Sequence, residues 1–374
     1  MPSEDNSLIG EIEARSREIH SESYPMSIGE LMSIYKDGEL DIHPEFQRFF
    51  RWNIVQKSKL IESILLGIPI PSVFVSQRED GVWDVIDGVQ RLSTIFEFAG
   101  ILKGEDGNLL PPSVLVRTDY LPSLQGVVWE DDVHPERAFP NPLRLEMKRR
   151  KLDLKIVRKE SDPDAKFDLF ERLNTLGSQL SDQEVRNCLL VMLSPPFYRW
   201  LEDLSKVEAF QDTIALTERA LEERYDMELV LRFLILSRVE EHELQGVRDV
   251  SDFLTRWTRR LVVGAQSRME TERKAFVTVF EALREVMGPD CFVRRDGGRG
   301  RGGFLISVFE TAAVGLGYHL LRQPDATIQP QRLQAAFEEM WQSAEFKAYS
   351  RSGISASSRL PRLVPLGRQL FGAI

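Results

Sequence analysis

The sequence predicts an α+β protein: a mixed α/β N-terminal domain followed by an all-helical domain. Three observations lead there. Short apolar strands are confined to the chain before about residue 158, and apolar residues at helical spacing dominate the remainder. The chain also has 374 residues, 42% of them hydrophobic, which is enough to fill two cores. The expected organisation is an N-terminal extension over 1–26, an α/β domain over 27–158 and a helical domain over 159–374.

In chain order, Ser27 and Glu30 have the spacing of a capping box, and Ile28, Leu31, Met32 and Tyr35 give the helix behind it an apolar face that ends near Gly38. A strand is expected over Glu39 to Ile42. Leu60, Ile61, Ile64 and Leu65 mark a second helix, stopped by Gly67, after which Pro69 and Pro71 force extended chain. Ser72 to Ser76 and Val82 to Ile86 then read as two strands of a hairpin. Asp87 and Gly88 turn the chain into a helix with apolar positions Val89, Leu92, Ile95, Phe96 and Ala99, stopped by Gly100. Between Ile101 and Arg150 the periodicity fades and prolines stand at 111, 112, 122, 135, 140 and 142, so an irregular segment wrapped over the domain is expected. Lys151 to Val157 alternates as one more strand, with Leu152, Leu154 and Ile156 on one face.

Beyond it, Phe167, Phe170 and Leu173 form a helical stripe, and Ser181 with Glu184 is a second capping box before Val185 to Leu193. Helices are expected over Asp226 to Arg238, Phe253 to Val263, Lys274 to Met287, Phe304 to Leu321 and Gln331 to Phe346. No repeat period links them.

Composition excludes several classes of function. Lys and Arg total 48 against 58 Asp and Glu, a formal net charge of -10, which argues against a general polyanion-coating protein and makes any nucleic-acid contact local. Residues 291–374 hold 11 Lys and Arg against 6 Asp and Glu, so the basic charge gathers at the C-terminal end. Two cysteines, Cys188 and Cys291, cannot build a disulfide framework, and a reducing, cytoplasmic setting is expected. The polar first residues read as neither signal peptide nor anchor. The apolar run Phe304 to Leu321 contains Glu310 and His319, which suits a buried helix better than a membrane span.

Three stretches carry candidate chemistry. In Val85-Ile86-Asp87-Gly88-Val89-Gln90-Arg91, a strand ends in a carboxylate and a glycine at a helix N-terminus, a geometry that binds phosphate. Gly88 permits close backbone approach, Arg91 can add a charged contact, Asp87 can hold Mg²⁺ or orient water, and Gln90 can position that water. The same residues also describe an ordinary Asp-Gly turn with a surface Gln and Arg. The second stretch runs from His43 through Gln47 and Arg48 to Trp52 and interleaves arginines with aromatics, either as a phosphate-and-base clamp or as cover for the core. In the third, Arg172, Asn174 and Thr175 sit at a helix junction where a ligand-facing loop and a plain helix stop fit equally well. Separately, Arg294, Arg295, Arg299 and Arg301 lie among five glycines, as a loop that tracks a nucleic-acid backbone or as a solvated connection. The segment holding Arg359, Arg362 and Arg368 reads as a nucleic-acid contact or, in preference, as a docked terminal segment.

Taken together, PEFQR…W, GIPIPSVFV, VIDGVQRLSTIFEF, FERLNTLGSQLSDQEVRN and RYDMELVLRFLIL resemble, in order from about residue 27 to 240, the N-terminal domain family of GmrSD-type restriction enzymes. That family belongs to the ParB/sulfiredoxin-like superfamily. The resemblance implies binding or hydrolysis of a nucleoside triphosphate, with Mg²⁺, coupled to recognition or cleavage of phage or modified DNA. Its DGQQR box stands here as DGVQR, matched by Asp87, Gly88, Gln90 and Arg91, with Val89 in place of the first Gln. Gln47 and Arg48 match its FQR element, and Arg172 and Asn174 its RLN element. Full-length members carry a His-Asn-His nuclease domain, whereas His20, His43, His134, His242 and His319 are scattered here without that pairing.

The expected function is therefore a nucleotide-binding, NTP-hydrolysing component of an anti-phage or modified-DNA restriction system. Asp87 and Gln90 would be catalytic, Asp87 the metal ligand, and Gln47, Arg48, Gly88, Arg91, Arg172 and Asn174 would bind the nucleotide. The arginine-glycine stretch would meet nucleic acid. Alternatives are a non-catalytic sensor of nucleotide or modified DNA that regulates a separate nuclease, and a metal-dependent endonuclease using Glu45 or Asp84 beside Asp87. DNA, a separate nuclease or defence subunit and a second copy of the chain are the expected partners; a membrane is not.

Overall fold

The structure, a computed structural model, describes residues 21–42, 52–104, 106–158, 181–296 and 299–372. The chain divides into two compact units, Met1–Leu180 and Ser181–Ile374.

The first unit runs β1 (Ser21–Ser27), α1 (Ile28–Lys36), β2 (Leu40–Asp41), α2 (Ile54–Leu66), β3 (Val73–Gln77), β4 (Trp83–Asp87), α3 (Val89–Phe98), α4 (Asn141–Arg149) and β5 (Lys151–Val157). Its five strands form one mixed sheet in the order β1-β5-β3-β4-β2. The hairpin β3–β4 is antiparallel, as expected, and β5 lies parallel to β3. Strand β1 falls in what the sequence reads as an extension, and it pairs antiparallel with β5 from Ser21↔Val157 to Ser27↔Lys151. Its sequence SESYPMS hides it: an edge strand has one partner, Met26 is its one core residue, and Tyr24 faces solvent. Pro25 is tolerated because an edge strand has no outer ladder to supply.

Helices α1 and α3 bury their apolar faces together, with Tyr35 stacked on Phe96 at 4.4 Å between ring centroids. Residues 101–140 cover the unit much as the fading periodicity suggests. Trp129 and Phe139 close around Phe98, and the buried Glu62 of α2 accepts the backbone N–H groups of Tyr120 and Leu121 at 2.9 and 3.0 Å. Helix α4 is a departure. It opens on Asn141-Pro142 and buries Met147 alone, so the sequence shows no apolar stripe to announce it.

The second unit is helical: α5 (Asp182–Leu193), α6 (Pro195–Ser205), α7 (Glu208–Ile214), α8 (Glu218–Glu222), α9 (Tyr225–Leu236), α10 (Glu241–Gln245), α11 (Val250–Val262), α12 (Met269–Met287), α13 (Ile306–Arg322), α14 (Pro330–Gln342), α15 (Ala344–Tyr349) and α16 (Ala356–Leu370). A two-stranded antiparallel ribbon, β6 (Arg294–Asp296) and β7 (Arg299–Arg301), interrupts them. The expected capping box of α5 is present, with Ser181 and Glu184 each accepting the other's backbone N–H. The helical stripe Phe167 to Leu173 lies outside the described residues.

Phe210, Phe233, Phe276, Phe280, Phe292 and Phe309 form a continuous aromatic core. Helix α16 crosses α13 where a Cβ added to Gly367 would meet Thr311 O at 2.0 Å, so this contact requires glycine. The terminal segment, where arginines alternate with Leu360, Leu363 and Val364, is helix α16, which keeps Pro361 and Pro365 inside it and packs its buried face on α13. A ladder of alternating charge runs through the unit. Arg186 and Arg232 bind Glu228 at 2.6 and 2.8 Å, and Arg232 and Arg359 bind the fully buried Glu310 at 2.8 and 2.6 Å. Among the described residues no helix is long and apolar enough to cross a membrane.

Candidate functional site

Strand β4 ends at Asp87, Gly88 takes the left-handed conformation at φ 97°, and α3 starts at Val89. Glycine is required twice over. An L side chain strains this φ, and a Cβ here would sit 2.9 Å from Val73 Cγ2 and 3.2 Å from an Arg91 guanidinium nitrogen. No side chain caps α3, whose first intrahelical bond is Leu92 N–H to Gly88 O at 2.9 Å. The amides of its first turn therefore form the positive end of the helix dipole, aimed past the turn.

The polar side chains of the turn are committed to the scaffold. Arg91, 8% exposed, donates from Nη1 to Pro71 O and from Nη2 to Asp87 Oδ2, both at 2.6 Å. Gln90 Oε1 accepts the backbone N–H of Trp52 at 3.0 Å. The next residue, Asn53, is the N-cap of α2 and closes a capping box with Gln56. Lys57 of α2 meets Glu97 of α3 at 2.5 Å. The turn thus ties β4, α3, the chain entering β3 and the start of α2 into one block. Asp87 keeps its side chain 32% exposed, so one edge of the carboxylate reaches solvent beside the helix end. Chemically, the arrangement offers backbone N–H donors, a helix dipole and one accessible carboxylate, with Arg91 fixing the carboxylate's angle.

Asp87, Gly88, Gln90 and Arg91 are brought together here. Gln47, Arg48, Arg172 and Asn174 lie outside the described residues, as does Glu45. Asp84, the other carboxylate considered beside Asp87, forms an ion pair with Arg78 at 3.0 Å, and Arg78 also binds Asp41 at 3.0 Å. Among the described residues no three His, Cys, Asp or Glu side chains are grouped to hold a metal ion. Arg294, Arg295, Arg299 and Arg301 stand on the β6–β7 ribbon, with Arg294 opposite Arg301 and Asp296 opposite Arg299. Arg294–Asp296 and Arg299–Arg301 of the arginine-glycine stretch are therefore paired strands and not open loop.

Residues 28–191 match the family model described as the GmrSD restriction endonuclease N-terminal domain. The chain is thus similar to that family over this segment, which contains DGVQR, while RYDMELVLRFLIL lies beyond it. No curated protein and no solved structure matches the chain. The matched segment begins at α1, contains the whole Asp87 turn and ends inside α5, which belongs to the second compact unit. Sequence reasoning missed two participants, the Pro71 carbonyl and the Trp52 amide, because both act through the backbone. The one signal for Pro71 is its place in GIPIPSVFV, where proline holds the chain extended and its carbonyl outside the ladder.

Proposed function

We propose that this chain is a nucleotide-binding component of a restriction-type system that acts on DNA, with the Asp87 turn as its phosphate site on a ParB/sulfiredoxin-like domain. The family match supports the restriction setting and the action on DNA. The five-stranded mixed sheet, with its strand–turn–helix at Asp87, is in keeping with that domain type. One observation carries the phosphate reading: α3 presents an uncapped N-terminus directly behind a left-handed glycine, beside a partly exposed carboxylate. In this reading the first-turn amides hold the phosphate and Arg91 acts as a positioning residue. Asp87 would be the single protein ligand of a Mg²⁺ ion that arrives with the triphosphate, which suits a cation that keeps most of its waters. That ion supplies neutralisation of the phosphate charge.

Calorimetry with each of the four nucleoside triphosphates and Mg²⁺ tests the proposal. Binding of at least one, weakened by Asp87→Asn in a variant whose circular dichroism shows it still folded at the assay temperature, is the expected result. Absence of binding to all four, with and without DNA, would remove the site.

A second reading, a sensor that binds without turnover and signals to a separate nuclease, has its own support. Val89 is 5% exposed and sits in the core, and the Gln90 carbonyl oxygen accepts the Trp52 amide, which commits both residues to the scaffold. Phosphate release separates the two: release by the wild type that Asp87→Asn abolishes favours a hydrolase, and none from wild type or Val89→Gln favours the sensor.

A further inference from the structure

The second unit contains a cavity of about 380 Å³ whose lining is built around three arginines, Arg238, Arg268 and Arg322. Each is anchored on its inner side. Arg238 donates to Leu234 O at 2.6 Å and Arg268 to Leu261 O at 2.7 Å, while Arg322 donates to Tyr318 O at 3.0 Å and Ser237 O at 3.2 Å. These carbonyls lie in the last turns of α9, α11 and α13, so the guanidiniums converge because three helix C-termini do. One carboxylate serves the cluster: Glu272, 1% exposed, accepts from Arg238 at 2.5 Å and Arg268 at 3.2 Å through the same oxygen, Oε1. Glu240 stands 3.8 Å from Arg322 with its side chain largely in solvent, where screening makes a pair weak.

The charge is not balanced. Three guanidiniums face one buried carboxylate, and three helix C-termini at roughly half a negative charge each offset part of the excess without cancelling it. Burial, joined by the like charges of Arg268 and Arg322 and opposed by Glu272, holds Arg238 below the ordinary arginine value. A guanidinium has five N–H donors, and each of these three has donors to spare after its carbonyl and carboxylate contacts. Ser267 and Thr271 add hydroxyls on the same wall. The volume lies within the range of small-molecule sites and far exceeds what one phosphate fills.

We propose that this cavity is a second anion site, taking a phosphate monoester that carries a further organic group. Arginine forks match phosphate oxygens in pairs, and the spare donors of the three, with the small positive excess left on the lining, favour an anion seated among them. The source is either a free nucleotide or the 5′-phosphate of a DNA end. The site is separate from the Asp87 turn and does not depend on the reading given for that turn.

Arg268 and Arg322 have side chains 39% and 40% exposed, so an arginine reagent reaches both. Phenylglyoxal labelling of the full chain, read by peptide mass spectrometry, is run with inorganic phosphate, with ATP, and with single-stranded oligonucleotides bearing 5′-phosphate or 5′-hydroxyl. Protection of both arginines by phosphate and ATP is expected. Added protection by the 5′-phosphorylated strand alone assigns a DNA end, and its absence assigns the free nucleotide. Arg322→Gln should weaken protection of Arg268 about tenfold in ligand concentration, as loss of a charge-assisted contact requires, and Arg322→Lys should recover part of it. Identical labelling with every probe overturns the proposal. So does equal protection by the 5′-hydroxyl strand, or protection that Arg322→Gln leaves unchanged.

Discussion

Replacing Gly88 by alanine tests whether the Asp87 turn is held by backbone conformation alone or also by close packing. A left-handed φ of 97° costs an L residue about 1–2 kcal/mol. The added Cβ would also stand 2.9 Å from Val73 Cγ2, and forcing a methyl into packed surroundings costs about 1–3 kcal/mol more. The sum is about 2–5 kcal/mol. Gly81, in the β3–β4 hairpin turn, supplies the control: its φ is 89°, nearly the same, yet a Cβ there meets nothing within 4 Å. Gly81→Ala should therefore carry the conformational cost of about 1–2 kcal/mol and no more. Urea unfolding of both variants, compared at constant slope, gives the two losses, and their difference is the packing contribution. Nucleotide binding should fall with Gly88→Ala and hold with Gly81→Ala, because only the first displaces the amides of α3. Equal losses in the two variants would refute the claim that Val73 presses on the turn.

Other parts of the molecule can be perturbed in the same way. Glu310→Gln should destabilise the second unit by roughly 3–5 kcal/mol in urea, because Arg232 and Arg359 lose the charge that compensates them in the interior; a loss below about 1 kcal/mol would show that Glu228 carries the ladder alone. Replacing Arg294, Arg295, Arg299 and Arg301 together by serine should lower DNA affinity and flatten its salt dependence in gel-shift titrations while nucleotide binding persists, since arginines that neutralise phosphates release counterions; an unchanged salt slope would refute this. Burial, opposed by its hydrogen bonds to Ser181, raises the Glu184 carboxyl above its ordinary value, so its contribution favours the folded state when protonated and is lost as pH rises through the folded-state value; Glu184→Gln should thus gain on the wild type as pH rises above the ordinary carboxylate value of about 4, and a pH-independent difference would refute the assignment.

Much of the fold is legible because burial leaves a period in the sequence. Lys151–Val157 alternates between exposed and buried faces from its first residues, and Ser181 with Glu184 caps α5 in both directions. What escapes are elements whose stability comes from a neighbour. Strand β1 is ordered by its ladder to β5, α4 by one methionine, and α16 by close approach to α13 at Gly367, which outweighs two prolines that would break an isolated helix. Tertiary contacts of this kind carry no local signature, so propensity alone reads those stretches as loop.

The Asp87 turn shows the same limit at the level of single residues. Its residue types announce phosphate chemistry, but types do not state direction. Asp87 and Arg91 are four apart across a helix start, a spacing that also lets them bind each other, and in the structure they do, with Pro71 taking the other end of the guanidinium. Gln90 faces the start of α2 in the same way. The side chains that look catalytic in the sequence thus build the block, and in the proposed phosphate reading recognition would pass to what they hold in place, the amides of α3 and one edge of Asp87. Val89 then takes on a different meaning. A side chain at that position enters the core, so the departure from DGQQR changes packing behind the turn and leaves the donors in front of it intact. Phosphate binding should accordingly survive this departure even where turnover does not.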